Sequence, residues 1–299
     1  MNLTLLEVYK SGKSFLKEAF CELKSEFVII FEDTFKVDKL NFFLNGNECP
    51  EALNVKIFFE KLKRLKNNEP VQYIVGSCSF LNLNLEVGPG VFIPRKDTEI
   101  LIESIIDKFL SDNFERKRSL FENPICTKFN GNIIDLCSGS GAIALSLKNI
   151  FKNSNVTAVE IYNSAFSFLK SNSKKKDMNI DIILGDIFRI LNDFENNFFD
   201  IIVSNPPYIR ERDLEFLDAT IKYEPEIALN GGEDGLVFFK KIIKNWTKKI
   251  KINGILAFEV GINQSRSVVS IMKNFGFKNI KIFNDFAGIE RVVIGNRSV

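Results

Sequence analysis

The hydrophobic positions near the start of the chain recur at the spacing of a helix. Between residues 50 and 66, apolar side chains lie three and four positions apart with lysine and glutamate between them, at Val55, Phe58, Phe59, Leu62 and Leu65. Asp38 precedes another apolar segment and is predicted to cap a helix there. We therefore predict a small helical domain over residues 1–75, which ends near Asn67-Asn68-Glu69-Pro70.

The period changes to two after this domain. Alternating apolar and polar residues from Phe80 to Val87 predict a half-buried strand. A turn is predicted at Gly88-Pro89-Gly90, and extended structure resumes from Val91 to Pro94. Residues 76–95 are thus expected to form a β-hairpin that links the helical domain to the rest of the chain.

Residues 96–299 alternate between helical and extended patterns. The first helix of this part is predicted to begin at a cap, either Asp97 or Thr98. Strands are predicted at 133–136, 156–159, 180–184, 201–203, 255–260, 278–283 and 291–294, with helices between them that include 237–250 and 264–275. This alternation predicts an α/β domain with a seven-stranded, largely parallel sheet covered by helices on both faces.

Composition narrows the cellular context. Hydrophobic residues make up 45% of the chain and charged residues 26%, as in ordinary globular proteins, and no apolar stretch approaches the roughly 18 to 20 residues that cross a bilayer. The first ten residues show no basic region followed by a cleavage site, so no secretory signal is expected. The five widely spread cysteines contain no C-x-x-C pair, which favours reduced thiols and a cytoplasmic protein. A net charge of only +2 gives no reason to expect direct binding to nucleic acid.

Histidine is absent from the chain. Its absence excludes a Ser-His-Asp triad, a Cys-His pair and a histidine-ligated metal. No metal site is predicted. Any reaction must therefore use carboxylates, amides, lysines, backbone groups or an organic cofactor.

A glycine-rich turn follows the first predicted strand of the sheet. Glycine lets the backbone approach a ligand closely, and the helix after the turn offers free N–H groups. Glu160 ends the second strand, where a carboxylate can accept both hydroxyls of a ribose. The pattern predicts a nucleoside cofactor, and because G-x-G-x-x-A also fits nicotinamide and flavin sites, it leaves the cofactor's identity open. The candidate binding residues of this turn are Asp135, Cys137, Ser138, Gly139, Ser140 and Gly141.

Two further strand ends carry candidate chemistry. Asp186 closes the third strand, where it can accept an adenine amino group while the backbone of Ile187 meets the ring, although an aspartate there can also cap a helix. The fourth strand ends in a rigid corner, Asn205-Pro206-Pro207-Tyr208, because neither proline can donate a backbone hydrogen bond. A plain turn explains the prolines alone, but not their place after the glycine loop, Glu160 and Asp186.

These motifs occur together with other segments of a known pattern. The further segments are Glu69 to Gly76, Phe92 to Glu99, Tyr223-Glu224-Pro225, Asp234-Gly235-Leu236, and Asp285, Gly288 and Arg291. The whole set resembles the protein-glutamine N5-methyltransferases that modify bacterial peptide chain release factors, the PrmC/HemK family. Two positions depart from the family pattern: Cys137 stands where glycine is usual, and Lys96 where proline is usual.

The resemblance implies a Rossmann-like methyltransferase fold, S-adenosyl-L-methionine (SAM) as the cofactor, and methyl transfer to the glutamine of the GGQ motif in release factors. The Asn205 side-chain oxygen and the Pro206 carbonyl are each expected to accept one N–H of the substrate amide, while Tyr208 packs against that amide. The helical domain is expected to dock the protein substrate, and the chain to act as a monomer. The expected catalytic residues are Asn205, Pro206 and Tyr208; Pro207, Arg95 and Glu99 are added for substrate binding, and Asp186, Ile187 and Asn205 for the cofactor.

Other functions remain open at this point. A DNA or RNA adenine N6-methyltransferase could use the same corner on an exocyclic amine, against which stand the small net charge and the lack of an evident target-recognition domain. A glutamine methyltransferase of a ribosomal protein is not separated by the sequence. A non-catalytic module that kept the fold is opposed by the intact run from Asp135 through Tyr208, and a nicotinamide oxidoreductase leaves the corner unexplained.

Overall fold

The computed structural model describes residues 3–109 and 129–298. The chain divides into two compact units, one made of Met1–Ser77 and Asp218–Tyr223, the other of Cys78–Leu217 and Glu224–Val299. Each unit has its own hydrophobic core. Cys126, one of the five cysteines, lies outside the described residues.

The first unit is helical. Asp38 accepts the N–H of Asn41 at 2.7 Å and caps the third helix, which confirms the predicted cap. Aromatic rings packed edge to face fill the core, with the Phe58 ring centroid 5.7 Å from that of Phe27 and 5.5 Å from that of Phe31. The helices are α1 (Leu5–Leu16), α2 (Lys24–Phe35), α3 (Lys39–Asn45), α4 (Ala52–Lys66) and α5 (Val71–Val75).

A two-stranded hairpin follows, consisting of β1 (Ser77–Phe80) and β2 (Leu83–Glu86). The continuous strand predicted from Phe80 to Val87 is therefore wrong, because the chain turns at Leu81-Asn82. Leu81 adopts a left-handed φ of +49°, and its N–H donates to the Glu99 carboxylate at 2.9 Å, so a tertiary contact holds this turn. The turn expected at Gly88-Pro89-Gly90 is also present, after the hairpin.

Seven strands form the main sheet of the second unit. They are β3 (Asn132–Leu136), β4 (Asn155–Glu160), β5 (Asp181–Leu184), β6 (Phe199–Ser204), β7 (Ile250–Glu259), β8 (Phe277–Asn284) and β9 (Glu290–Arg297). Their order is β5-β4-β3-β6-β7-β9-β8; the first five run parallel, and β9 is antiparallel to both β7 and β8. This confirms the predicted seven-stranded α/β sheet. The chain passes from β3 to β4 on one side and later to β6 on the other, which creates the kind of switch point where such sheets bind ligands.

Helices cover both faces of this sheet: α6 (Lys96–Phe109), α7 (Ala142–Ile150), α8 (Asn163–Lys175), α9 (Val237–Trp246) and α10 (Ser265–Asn274). Successive strand residues point to opposite faces, so that Ile133 belongs to the core with α6 and α7, and Ile134 to the core with α9 and α10. In the two described ranges, no helix is both long and apolar enough to cross a membrane.

Two helix boundaries differ from the sequence prediction. Because α6 begins at Lys96, Asp97 and Thr98 lie inside its first turn, and neither is its cap. The helix predicted over 237–250 ends at Trp246, and β7 begins at Ile250 rather than 255. The early part of β7 carries an irregularity in its pairing with β6, where Lys251 forms an ion pair with Asp200 at 2.8 Å.

Candidate active site

Five neighbouring parallel strands bring polar side chains to one edge of the sheet. Parallel strands end on the same side, so residues far apart in sequence meet there. The side chains are Asp135 on β3, Glu160 on β4, Asp186 after β5, Asn205 after β6 and Glu259 on β7. Sequence reasoning assigned the first four to a site and missed the fifth.

The loop between β3 and α7 turns through three left-handed residues. The φ angles are +68° at Cys137, +57° at Gly139 and +89° at Gly141. A side chain on Gly141 would put its Cβ 2.5 Å from Leu169 Cδ1, whereas a Cβ on Gly139 would meet no atom of the described chain within 4 Å. The loop is closely packed beneath Gly141 and open above Gly139, which leaves room for a ligand against the backbone.

Hydrogen bonds of the Ser138 hydroxyl and of a buried asparagine fix this loop. Ser138 Oγ donates to the Asp135 carbonyl at 2.9 Å and accepts the Val159 N–H at 3.1 Å. Asn172 on α8, which is 1% exposed, donates to the Ser140 carbonyl at 3.0 Å and also bonds the β2 backbone. Hydrogen bonds within the chain thus hold the loop. The cofactor contacts expected of Ser138 and Ser140 stay predictions.

Glu160 is buried and accepts three backbone N–H groups. Its Oε2 accepts the Gly139 N–H, and its Oε1 those of Ile161 and Tyr162, each at 2.8 Å. Burial raises the pKa of the carboxyl, and the three N–H donors act in the opposite direction. Since a carboxylate offers about four lone-pair sites, one remains for a ligand hydroxyl.

Asp135 has no exposed surface. Its Oδ2 accepts the Ala144 N–H at 3.2 Å, and its Oδ1 has no hydrogen-bond partner among the described residues. Burial raises the pKa of this carboxyl to about 7. A buried carboxyl oxygen without a donor is a position where a ligand amine or hydroxyl fits.

Asp186 makes a local turn and does not cap a helix, the alternative that the sequence left open, because the short 3-10 helix that follows begins at Ile190 with Arg189 as its N-cap. Its Oδ1 accepts the Phe188 N–H at 2.8 Å, and Arg189 Nε lies 3.6 Å from its Oδ2. The carbonyl of Ile187 accepts the indole N–H of Trp246 at 3.1 Å, which fixes the backbone here. The adenine contacts expected of Asp186 and Ile187 stay predictions.

The corner after β6 presents one amide and one phenol. Pro206 and Pro207 are buried, while the flanking side chains are partly exposed. Asn205 Nδ2 donates to Thr98 Oγ1 at 3.4 Å, and no described residue donates to Asn205 Oδ1. The Tyr208 hydroxyl donates to Glu259 Oε1 at 3.3 Å. The Asn205 oxygen is therefore the acceptor that remains for a ligand.

Neighbouring segments hold the corner's backbone. Gln264 Nε2 donates to the Tyr208 carbonyl at 2.8 Å, while its Oε1 accepts the Gly261 N–H at 2.9 Å. The Gly231 N–H donates to the Ile209 carbonyl at 2.7 Å, and a Cβ on Gly231 would lie 2.7 Å from Tyr208 Cα. The corner is thus fixed from two sides, by residues 229–235 and by the loop after β7.

The two residues expected at the mouth of the pocket make different contacts. The Arg95 guanidinium pairs with Glu224, whose side chain is 1% exposed and also accepts the Ile93 N–H at 2.9 Å. Burial raises the pKa of Glu224, and Arg95 opposes that effect. Glu99 instead accepts the Leu81 N–H and so fastens the hairpin turn. Substrate contacts by Arg95 and Glu99 stay predictions.

Comparison with known proteins identifies the family to which this chain is similar. The chain matches the methyltransferase small domain over residues 109–247 and the PrmC N-terminal domain over residues 7–76. It is 36% identical over 268 residues to a release factor glutamine methyltransferase of Thermodesulfovibrio yellowstonii, with 88% of each chain covered. A protein of the same name from Aquifex aeolicus is 33% identical over 298 residues, which cover 97% of this chain and 99% of the relative. The chain belongs to the release factor glutamine methyltransferase family.

Cys137, at a position where the resemblance led us to expect glycine, has a strained backbone conformation. Its φ of +68° is one that glycine adopts freely and other residues at a cost. The loop keeps the left-handed turn nevertheless, and the Cys137 side chain packs against the core that contains Ile134 and the helices α9 and α10. Lys96, the other departure, is exposed at the start of α6.

Four residues that support the site were not assigned from sequence: Thr98, Glu224, Glu259 and Gln264. Glu259 carried a usable signal, because it is the penultimate residue of the strand predicted over 255–260, which ends on the same edge as the strands of Asp135 and Glu160. Thr98 and Glu224 lie within segments that matched the release factor glutamine methyltransferase pattern, yet their partners are 107 and 131 residues away in sequence. Only the folded chain reveals those partners.

Proposed function

We propose that this chain transfers the methyl group of SAM to the side-chain amide nitrogen of the GGQ glutamine in a peptide chain release factor. The observation that carries the proposal is the position of the Asn205-Pro206-Pro207-Tyr208 corner. It follows β6, whose last residue, Ser204, is paired with Leu136 at the start of the glycine loop. A site for an amide therefore adjoins a site for a nucleoside cofactor.

The groups at the edge of the sheet fit SAM by their chemistry. Its ammonium, ribose and adenine all carry hydrogen-bond donors, and the site offers the acceptors Asp135, Glu160 and Asp186. Asp135 Oδ1 is buried without a partner among the described residues, and Glu160 retains one lone-pair site. We assign Asp135 to the ammonium, Glu160 to the ribose and Asp186 with Ile187 to the adenine. The open backbone at Gly139 gives the ligand room.

A carboxamide nitrogen is a poor nucleophile because its lone pair is delocalised into the carbonyl. In the proposed complex, Asn205 Oδ1 and the Pro206 carbonyl each accept one N–H of the substrate amide and so aim its nitrogen. When bound, SAM supplies an electrophilic methyl group on a sulfonium. Positive charge that develops on the nitrogen is stabilised by the two fixed acceptors, and the proton leaves to water. No histidine base is required.

The prolines and the tyrosine suit these roles. Proline fixes its own φ at about −65° and restricts the residue before it to extended backbone, so the direction of the Pro206 carbonyl is restricted by Pro206 and Pro207 together. The Tyr208 ring can pack on the planar amide, and its hydroxyl is held by Glu259. Burial raises the pKa of Tyr208, so the ring stays neutral and adds no charge beside the substrate.

We also propose that residues 1–75 form a docking domain, residues 76–95 a linking hairpin and residues 96–299 the catalytic domain. A methyl acceptor on a large protein needs a second surface that holds that protein. Helix α3 offers one, since Leu40 is 67% exposed, Phe43 87% and Leu44 68%. Three large apolar side chains exposed on one short helix are suited to bind a protein partner.

The direct test is incubation with labelled SAM and three separate acceptors: a release factor, ribosomal proteins and DNA. The proposal expects label on the release factor only, and none on a release factor whose GGQ glutamine is replaced by asparagine. Label on ribosomal protein or DNA with none on the release factor would overturn the proposal in favour of that acceptor. Size-exclusion chromatography with light scattering tests the expected monomer, and fractionation of cells tests the expected cytoplasmic location.

A further inference from the structure

Glu259 is a buried carboxyl that the proposed chemistry does not use. It ends β7, is 2% exposed, and accepts the Tyr208 hydroxyl on Oε1 at 3.3 Å. Its other oxygen, Oε2, is buried and accepts no hydrogen bond from any described residue. The Thr98 hydroxyl is the neighbouring donor, and it favours the ionised carboxylate. A buried carboxylate oxygen beside a hydroxyl is expected to take its proton in a hydrogen bond.

Thr98 lies between this carboxyl and the catalytic corner. It is 3% exposed, and its Oγ1 accepts Asn205 Nδ2 at 3.4 Å. A hydroxyl has one proton to donate and lone pairs with which to accept. When that proton is directed to Glu259, Thr98 can only accept from Asn205, which directs the NH2 group inward and leaves the amide oxygen for the substrate.

We infer that Glu259 is a positioning residue which, through the Thr98 hydroxyl, keeps the Asn205 amide oxygen directed toward the substrate glutamine and at the same time holds the Tyr208 ring by its hydroxyl. The inference rests on the proposed function, because it concerns how that site presents its acceptor. It assigns no contact between Glu259 and the substrate. Both polar side chains of the corner thus depend on one carboxylate.

Protonation of Glu259 reverses the direction of this hydrogen-bond chain. A neutral Glu259 donates to Thr98 Oγ1, which frees the Thr98 proton for Asn205 Oδ1 and turns the amide so that its NH2 group faces the substrate. Two N–H donors then oppose each other and the acceptor is lost. The active form is therefore the ionised one, present above the pKa of Glu259 and lost as the pH falls through it.

Several groups around Glu259 set that pKa. Burial is the largest cause and raises it to about 7; Asp97 on α6 acts in the same direction. Thr98, Arg291 on β9 and the Tyr208 hydroxyl lower it. Arg291 Nη2 is itself paired with Asp97 at 3.2 Å, so much of its charge is already compensated. The switch between the two directions is thus expected within the range in which the enzyme can be assayed.

The test compares wild type, Glu259→Gln, Thr98→Val and Thr98→Ser by kcat on a release factor at saturating SAM, from about pH 5.5 to about pH 9. Wild-type kcat is expected to fall about tenfold per pH unit below the pKa and to level off above it. Glu259→Gln cannot ionise, so it should lose roughly 100-fold in kcat above pH 7 and show no such acid limb. Thr98→Val should lose a similar factor, and Thr98→Ser, which restores the hydroxyl, should recover most of it. Saturating SAM separates this effect from Asp135, whose pKa is also raised to about 7.

Calorimetric affinity for SAM and the circular dichroism spectrum provide the folding control, and both should match wild type in every variant. If wild type is active and Glu259→Gln keeps the wild-type acid limb, this inference is overturned and the proposed function stays intact. The same holds if Thr98→Val methylates at the wild-type rate. A wild type that methylates no release factor overturns both. If Glu259→Gln does not fold, the wild-type pH profile and the Thr98 pair decide the matter: an absent acid limb, or equal rates for the valine and serine variants, is evidence against positioning.

Discussion

Gly231 offers a way to move the Asn205–Tyr208 corner without altering any group that is proposed to touch a ligand. A Cβ at this position would lie 2.7 Å from Tyr208 Cα, 2.8 Å from its carbonyl carbon and 2.9 Å from the Pro207 carbonyl oxygen. All three atoms belong to the backbone, so no side-chain rotation relieves the overlap. We predict that Gly231→Ala displaces the Pro207–Tyr208 backbone and impairs methyl transfer.

The size of the effect follows from these distances. Ordinary contact begins at 3.4 Å, so the shortest contact of 2.7 Å requires a displacement of about 0.7 Å. A misplacement of about 1 Å near reacting groups can cost roughly 100-fold in rate, which corresponds to about 2.7 kcal/mol of transition-state stabilisation. We therefore expect kcat/KM for Gly231→Ala to fall by about one to two orders of magnitude, while the glycine loop and SAM affinity are retained.

The assay is methyl transfer from labelled SAM to a release factor, with SAM affinity measured by calorimetry and folding by a thermal melt. Gly254→Ala is the matched control, because its Cβ would lie 2.7 Å from Ile250 Cγ2, 2.9 Å from the Lys251 carbonyl oxygen and 3.0 Å from the Asp200 carbonyl oxygen, in the middle of β7 and away from the corner. That variant should lose stability without losing activity per folded molecule. If Gly231→Ala keeps kcat/KM within about threefold of wild type, equal to less than about 0.7 kcal/mol, the reasoning is refuted.

Three further predictions concern the cofactor loop and the docking surface. Glu160→Gln keeps one acceptor oxygen for three backbone N–H groups and should weaken SAM binding by roughly 10-fold to 100-fold in calorimetry, since hydrogen bonds to a charged group contribute about 1.5–3 kcal/mol; an unchanged dissociation constant removes Glu160 from the cofactor site. Cys137→Val puts a β-branched side chain at φ +68° and should lower the free energy of unfolding by about 1–3 kcal/mol in urea denaturation, whereas Cys137→Gly should be tolerated; equal stability of the two variants contradicts the loop argument. Phe43→Glu should raise KM for whole release factor but not for a short glutamine peptide, with Ile252→Glu, at an exposed position on β7, as the control; equal effects on both substrates count against docking by α3.

The sequence predicted the parts of the molecule that local pattern determines. The seven strands, the Asp38 cap and the residues of the glycine loop all followed from the spacing of apolar residues and from turn chemistry. The hairpin turn did not, because Leu81 is held in its left-handed conformation by Glu99, which lies 18 residues away. The start of β7 was missed for a similar reason, since its irregular pairing is accompanied by an ion pair to Asp200 on β6.

The candidate site shows the same limit. Residues that are proposed to face a ligand at strand ends can be located from the strand pattern, as for Asp135, Glu160 and Asn205. Residues that orient them cannot, because Thr98 and Glu259 acquire a role only when α6 and β7 bring them to the corner. Thr98 illustrates this best: its sequence context predicts a helix cap, and its hydroxyl is instead buried beside Asn205.

The most direct test of the account is the single-turnover rate of Asn205→Ala with a release factor as acceptor, measured beside its affinity for SAM. Asn205 Oδ1 is proposed to accept an N–H of the substrate amide, so the rate of methyl transfer should fall by at least about 100-fold, as when one preorganised hydrogen-bonding group is removed from an active site. The dissociation constant for SAM should stay close to that of wild type. Methyl transfer at close to the wild-type rate would contradict the claim that this corner holds the glutamine amide.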